Sequence, residues 1–223
     1  FIRDGSQWFA GDTILLSIGQ GDVLVTPTQL ANAYATFANG GTLHQPNVAR
    51  QITNASGEVL LEFGPRVRAT LNFAPEVTSP ITKGLLGVTR FGGVRGTAAN
   101  AFEGGTFPIN AWPVAGKTGT AEVAGKADTS LFVAWGPNDH VELGVDVAEP
   151  PQIALAVVME ESGFGSVAAA PVAAAILEPL ARNDLPTART LEEAEAAQIA
   201  RIQLLHQQNA LERQSTANNE ETQ

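Results

Sequence analysis

The sequence predicts an α/β fold of the α+β kind, in which helices cover an antiparallel sheet. Three strand candidates follow one another in the second half of the chain, at residues 114–122, 130–136 and 152–160. Their connections permit hairpins, so we expect three consecutive antiparallel neighbours. Apolar residues recur at helical spacing before them, at 27–39, and an Ala-rich helical stretch follows at 166–182. The last helix is expected to cover one face of the sheet.

The helix predicted at 27–39 has clear start and stop signals. Thr26 can cap it, Pro27 suits its first position, and Gln29 stands where a capping box needs it. Asn39-Gly40-Gly41 supplies the stop. Its apolar stripe, which should face the core, consists of Leu30, Tyr34, Phe37 and Ala38.

The remainder of the first half gives weaker signals. Residues 1–25 carry glycines between short apolar runs and are expected to form turns. Alternating segments joined by an Asn- and Gly-containing turn predict a hairpin at 47–63. A second helix is predicted at about 75–90, although Pro80 and Gly84 are poor residues for a helix interior.

The composition divides the chain near residue 185. The apolar run at 153–160 is nearly continuous, as expected of a strand covered on both faces. The apolar segments that can form a core all precede the change in composition, so residues 1–185 are expected to be the folded unit. Residues 186–223 are first rich in Glu, Gln and Ala and then almost wholly polar, which predicts a peripheral helix at 187–213 and a disordered tail after it.

Charge and composition exclude several classes of function. The net charge is -10 at pH 7, and the 13 Lys and Arg residues form no basic stripe, so no nucleic-acid partner is expected. The chain has no cysteine, which excludes disulfides and thiolate metal sites. Its three histidines, His44, His140 and His206, have no ligand spacing, so no metal is expected. No apolar stretch reaches the roughly 18 residues of a membrane span.

The segment Gly116–Glu122 contains the strongest candidate site. Lys117 is one of only three lysines and lies among small and apolar residues, where partial desolvation of its ammonium group is expected. On an extended strand, Lys117 and Gly119 face one way while Thr118 and Thr120 face the other. A cation beside two hydroxyls suits an anionic group such as a carboxylate. Gly119 lacks the side chain that would keep another backbone away.

Two other interpretations of this segment must be weighed. A lone Lys-Thr-Gly triplet more often marks a solvated lysine on an edge strand. Residues 111–118 also fit a relaxed phosphate-binding loop with Ala in its first position. Trp112 and Pro113 fit such a loop poorly, and Gly119 and Gly125 interrupt the helix that should follow Lys117. Trp112 and Trp135 are expected to be packing residues.

The surrounding segments decide between these interpretations, because eight segments, this one included, occur in a specific order. They are Gly11-Asp12-Thr13, Ser17-Ile18-Gly19-Gln20-Gly21, Thr26–Ala31, Ala38–Gly41, Gly96-Thr97-Ala98, Gly116–Glu122, Phe132–Pro137 and Ser166–Pro171. Over residues 8–182 the set resembles the C-terminal part of the D,D-transpeptidase domain of class B penicillin-binding proteins. The elongation-type, penicillin-binding protein 2-like members are the most similar.

This resemblance implies a penicillin-binding protein/serine β-lactamase-like transpeptidase fold and a role for each motif residue. Lys117 would direct positive charge at the catalytic serines, and the hydroxyls of Thr118 and Thr120 would hold a carboxylate of a D-Ala-D-Ala stem peptide or a β-lactam. The backbone N–H of Thr120 would be one oxyanion-hole donor. The peptide would dock as an added strand along Lys117–Ala121, with Gly119 at its centre.

The resemblance further implies peptidoglycan cross-linking at the outer face of the cytoplasmic membrane, without a metal or organic cofactor. The family's nucleophile lies in a Ser-x-x-Lys motif, yet no serine stands three residues before Lys83, Lys117 or Lys126. Because the chain begins abruptly at Phe1, we expect a fragment whose nucleophile and membrane anchor lie upstream in the same protein. The chain alone is then expected to be inactive. The alternative is a non-catalytic binding or scaffold module descended from the enzyme.

Overall fold

A computed structural model describes residues 8–21, 23–123, 125–138 and 151–183. Its elements are α1 (Ala10–Ser17), α2 (Pro27–Ala38), β1 (Thr42–His44), β2 (Gln51–Thr53), β3 (Val59–Glu62), β4 (Val67–Thr70), α3 (Pro75–Gly87), β5 (Ala115–Ala121), β6 (Thr129–Gly136), β7 (Ile153–Met159) and α4 (Ala169–Ala181). The helix predicted at 187–213 and the polar tail lie outside the described residues.

The principal sheet has the strand order β5-β6-β7, and both of its pairings are antiparallel. Lys117 is opposite Val133, and Thr118 is opposite Phe132. The predicted α/β fold and the three consecutive antiparallel strands are confirmed. In the described part of the chain β5 has a strand neighbour on its β6 side alone, so it is an edge strand.

Helices pack on both faces of this sheet, as the apolar run in β7 predicted. On one face Phe132 and Ala134 join the fully buried Leu177 of α4 in the larger core. On the other face Trp135 contacts Tyr34 and Phe37 of α2, with ring centroids 5.8 and 5.7 Å apart. Full burial of an aromatic or Leu side chain contributes about 1.5–3 kcal/mol, so these layers fix the position of β6 and its neighbours.

The helices α2, α3 and α4 confirm three predictions, with shifted ends. The predicted capping box of α2 is formed, because Thr26 Oγ1 accepts from Gln29 N–H and Gln29 Oε1 accepts from Thr26 N–H. Helix α3 tolerates Pro80 in its interior but ends at Gly87. Helix α4 begins at Ala169, so Pro171 lies in its first turn, where a missing N–H has no effect on the helix ladder.

Two features of the first half differ from the sequence prediction. Residues expected to form turns contain α1, whose Asp12 carboxylate, at the third helical position, accepts from the backbone N–H of the N-cap residue Phe9. The hairpin β2–β3 was predicted, but the antiparallel pair β1–β4 was not. These strands have three and four residues, and only their long-range pairing defines them.

Candidate functional site

The Lys-Thr-Gly segment forms the middle of β5. Packing holds the start of this strand, because Ala115 and Gly116 are buried while Lys117 is exposed. The pleat places Lys117 and Gly119 on the face that also carries Leu131 and Val133 of β6. The buried part of β5 thus ends at Gly116, directly before the charged residue Lys117.

A groove of about 590 Å³ runs along this part of β5. It is lined by Ser17, Ile18, Gly19, Leu30, Lys117, Thr118, Gly119, Thr120, Ala121, Leu131 and Val133. The wall opposite the motif comes from the turn after α1 and from the first turns of α2. The sequence analysis gave the Ser17–Gly21 segment no role in the site and so missed its place in the groove. Its signal was the Gly19 turn, which has a positive φ of 76°.

The ammonium group of Lys117 is not desolvated in the described part of the chain. The residue is exposed, and its Nζ donates to the carbonyl oxygen of Thr118 at 2.7 Å. The expectation of partial desolvation was wrong for the residues described, because the Lys117 side chain is exposed. Its charge therefore faces the groove and solvent.

The two threonine hydroxyls contact segments outside the sheet. Thr118 Oγ1 lies 2.8 Å from Thr97 Oγ1, in a hydrogen bond that either hydroxyl can donate. Thr120 Oγ1 accepts from the backbone N–H of Gly165 at 3.4 Å. The segment 96–98 and the loop 162–168 thus hold the hydroxyl face of the motif, and sequence reasoning predicted neither contact.

Glycine permits these close approaches. A Cβ on Gly96 would collide with the carbonyl oxygens of Gly87 and Val88, at the end of α3. A Cβ on Gly165 would collide with the carbonyl oxygens of Gly119 and Leu131. The backbone of Gly165 therefore lies close to β5 on the Thr120 face, while the approach of another backbone on the Gly119 face stays a prediction.

The structure also tests the competing interpretations. Strand β5 continues through Lys117 to Ala121, where a phosphate-binding loop would begin a helix. Trp112 and Trp135 are 6% and 1% exposed, which confirms that they are packing residues. Within the described ranges no cluster of three metal-ligating side chains occurs, and no helix is both long and apolar enough to cross a bilayer. His140 and His206 lie outside those ranges.

Several known proteins are similar to this chain in sequence. The family model described as the penicillin binding protein transpeptidase domain matches residues 3–178. Peptidoglycan D,D-transpeptidase MrdA of Acinetobacter baumannii is 32% identical over 169 residues, which are 74% of this chain and 24% of that protein. MrdA of Haemophilus influenzae is 29% identical over 197 residues, which are 80% of this chain and 27% of that protein.

Solved structures give the same assignment. An imipenem acyl-enzyme complex of penicillin-binding protein A from M. tuberculosis has a TM-score of 0.56 at 26% identity, over 74% of this chain and 33% of that one. Penicillin-binding protein 2B from Streptococcus pneumoniae strain R6 has a TM-score of 0.57 at 25% identity, over 82% and 29% of the two chains.

The matched region covers most of this chain but a small share of its relatives. The matched 169 and 197 residues are 24% and 27% of the length of the two MrdA proteins, so the chain spans about a quarter of each. The family model covers well over half of the sequence. This chain belongs to the penicillin-binding protein transpeptidase domain family.

Proposed function

We propose that these residues form the substrate-binding wall of a peptidoglycan D,D-transpeptidase. The observation that carries the proposal is the position of Lys117, Thr118 and Thr120 together on an edge strand that lines a groove. The MrdA relatives are named as peptidoglycan D,D-transpeptidases, and the M. tuberculosis structure is an acyl-enzyme of the β-lactam imipenem. The reaction class is therefore acyl transfer.

The edge strand suits an extended peptide. A stem peptide that ends in D-Ala-D-Ala can pair with the open side of β5 as an added strand, so main-chain hydrogen bonds supply affinity. Gly119 leaves this part of the strand without a side chain on the groove face. A β-lactam, which carries a carboxylate beside its reactive amide, would occupy the same place.

Lys117, Thr118 and Thr120 then each have a role in acyl transfer. Lys117 is exposed toward the groove, so its positive charge stabilises negative charge that develops there. The hydroxyls of Thr118 and Thr120 hold the substrate carboxylate. The backbone N–H of Thr120 donates to the oxyanion of the tetrahedral intermediate, where one such donor is worth about 10²–10³ in rate.

The nucleophile belongs to a part of the protein other than these 223 residues. No Ser-x-x-Lys occurs in the sequence, and the MrdA relatives are about four times as long as the matched region. We place the serine and its lysine in that other part, together with any membrane anchor. The complete protein would act on the outer face of the cytoplasmic membrane, and the 223-residue chain alone would not react with penicillin.

Labelling with a fluorescent penicillin tests the proposal. The full-length protein should form a stable adduct, and Lys117→Ala should slow its formation about 100-fold, because a positioned charge is lost. Unfolding free energy should change by less than about 0.5 kcal/mol, since Lys117 is exposed. Lys83→Ala is the matched control, because Lys83 is an exposed lysine of α3 outside the groove.

Two results would contradict the proposal. Equal labelling of the Lys117→Ala and Lys83→Ala proteins would remove the assigned role of Lys117. Absence of any adduct with the full-length protein would favour a non-catalytic module. Mass spectrometry of the 223-residue chain, shown to be folded by circular dichroism, should find no added penicilloyl mass.

A further inference from the structure

The hydroxyl of Thr97 lies within hydrogen-bond distance of the motif but has no role in the proposed reaction. Its Oγ1 is 2.8 Å from Thr118 Oγ1, although the two residues are 21 positions apart in the chain. Thr97 is exposed and belongs neither to α3 nor to β5. Burial therefore does not account for this polar contact at the groove.

The segment that carries Thr97 is held firmly in place. The backbone N–H of Ala98 donates to the carbonyl oxygen of Val88 at 2.8 Å, and Ala98 is fully buried. On the other side of Thr97, only a glycine fits at position 96, because a Cβ there would collide with the backbone at the end of α3. The position of the Thr97 hydroxyl is thus fixed by the packing of its two neighbours.

A count of hydroxyl hydrogens shows what this contact can do. A threonine hydroxyl donates one hydrogen bond and accepts up to two. If Thr118 donated to Thr97, its only hydrogen would be used and it could offer a carboxylate nothing but lone pairs. If Thr97 donates instead, the hydrogen of Thr118 remains available for an anion in the groove, and the two hydrogen bonds strengthen one another.

We propose that Thr97 is a positioning residue that donates to Thr118 Oγ1 and so directs the Thr118 hydroxyl hydrogen at the carboxylate of the bound peptide or β-lactam. The inference rests on the proposed function, since it deepens the role of Thr118 in that site. Thr97 acts through Thr118 and does not itself touch the reacting atoms. Its effect is therefore on binding of the carboxylate, and the acyl-transfer step is left largely unchanged.

Acylation kinetics of the full-length protein test this role. Rates measured over a series of fluorescent penicillin concentrations separate the apparent dissociation constant from the limiting acylation rate. Thr97→Val removes the hydroxyl and keeps the shape of the side chain. It should therefore raise the apparent dissociation constant about 5- to 30-fold, which corresponds to a loss of about 1–2 kcal/mol of binding free energy. The limiting rate should stay near that of the unmodified protein, and Thr97→Ser should restore binding.

A double-mutant cycle shows whether Thr97 acts through Thr118. In a Thr118→Val background, Thr97→Val should add no further loss, because the hydroxyl that it orients is already gone. Thr106→Val is the matched control, since Thr106 is a surface threonine whose hydroxyl donates to Glu178 Oε1 at 2.9 Å, away from the groove residues. This control should keep the unmodified dissociation constant.

The outcomes separate the inference from the proposed function. If the unmodified protein is labelled but Thr97→Val binds penicillin equally well, the positioning role is overturned and the transpeptidase assignment stands. A loss that Thr97→Ser or Thr106→Val shares equally would also overturn it, as would additive losses in the double variant. If the unmodified protein forms no adduct, the proposed function falls and the positioning role falls with it.

Discussion

Replacing Gly116 with alanine is expected to destabilise the sheet at the start of the motif. A Cβ built on Gly116 would lie 2.6 Å from the ring of Phe132, whereas real Cβ contacts essentially never fall below 3.0 Å, so a displacement of at least about 0.4 Å is required. The Phe132 ring is 1% exposed and packs against Phe102 at 5.6 Å, so it has no free space to enter. Overpacking of this kind costs about 1–3 kcal/mol.

Thermal unfolding of the full-length protein measures this cost. For a domain of this size, 1–3 kcal/mol corresponds to a Tm lower by about 2–12 °C. Gly84→Ala is the matched control, because Gly84 lies inside α3 and a Cβ there would meet nothing within 4 Å. That substitution should stabilise the protein by up to about 1 kcal/mol, since alanine is the better helix former.

A second substitution shows whether the Phe132 ring is the cause. Phe132→Leu removes the outer ring atom that the new Cβ would strike. In that background Gly116→Ala should cost less than it does alone, with a coupling of about 0.5–3 kcal/mol as expected for residues in contact. An unchanged Tm for Gly116→Ala, or the same cost in both backgrounds, would refute this packing argument.

Three further outcomes are expected from measurements on the same protein. Leu177→Ala should cost about 2–5 kcal/mol in urea unfolding, because Leu177 is fully buried in the larger core. Thr26→Ala should cost about 1 kcal/mol, since it removes the side-chain cap of α2. The pKa of the Glu178 carboxyl is lowered by hydrogen bonds from Thr106 and Arg182. The ionised carboxylate therefore stabilises the folded state above its ordinary pKa of 4.5, and this stabilisation is lost as pH falls through the lowered pKa. Thermal unfolding of the unmodified protein and of Glu178→Gln should differ at neutral pH, and the difference should vanish in acid.

The elements with strong local signals could be predicted from the sequence. The capping box and the apolar stripe of α2 lie within a dozen residues of one another, so both could be identified without knowledge of distant contacts. The apolar run of β7 showed that both faces of the sheet are covered. Strand β5 was identified from its motif and not from its propensity, because it contains two glycines.

Long-range contacts explain what the sequence could not predict. Strands β1 and β4 are too short to give a period, and they are defined by pairing across more than 20 residues. The same applies to the site. The groove wall at Ser17–Gly19 and the loop at Gly165 are distant in sequence from Lys117, and no local pattern joins them to the motif.

The first four residues of the motif change from buried to exposed between Gly116 and Lys117. Gly116 is buried against Phe132, so its lack of a side chain is required by the core. Gly119 faces the groove, where a Cβ would first meet the Leu131 side chain, at 3.3 Å, and we propose that the missing side chain leaves room for a ligand backbone. Lys117 and Thr118 lie between them, at the boundary of the buried part of β5. The rigid core therefore ends one residue before the charge that we assign to catalysis, and this arrangement fixes the position of the charge while leaving it exposed.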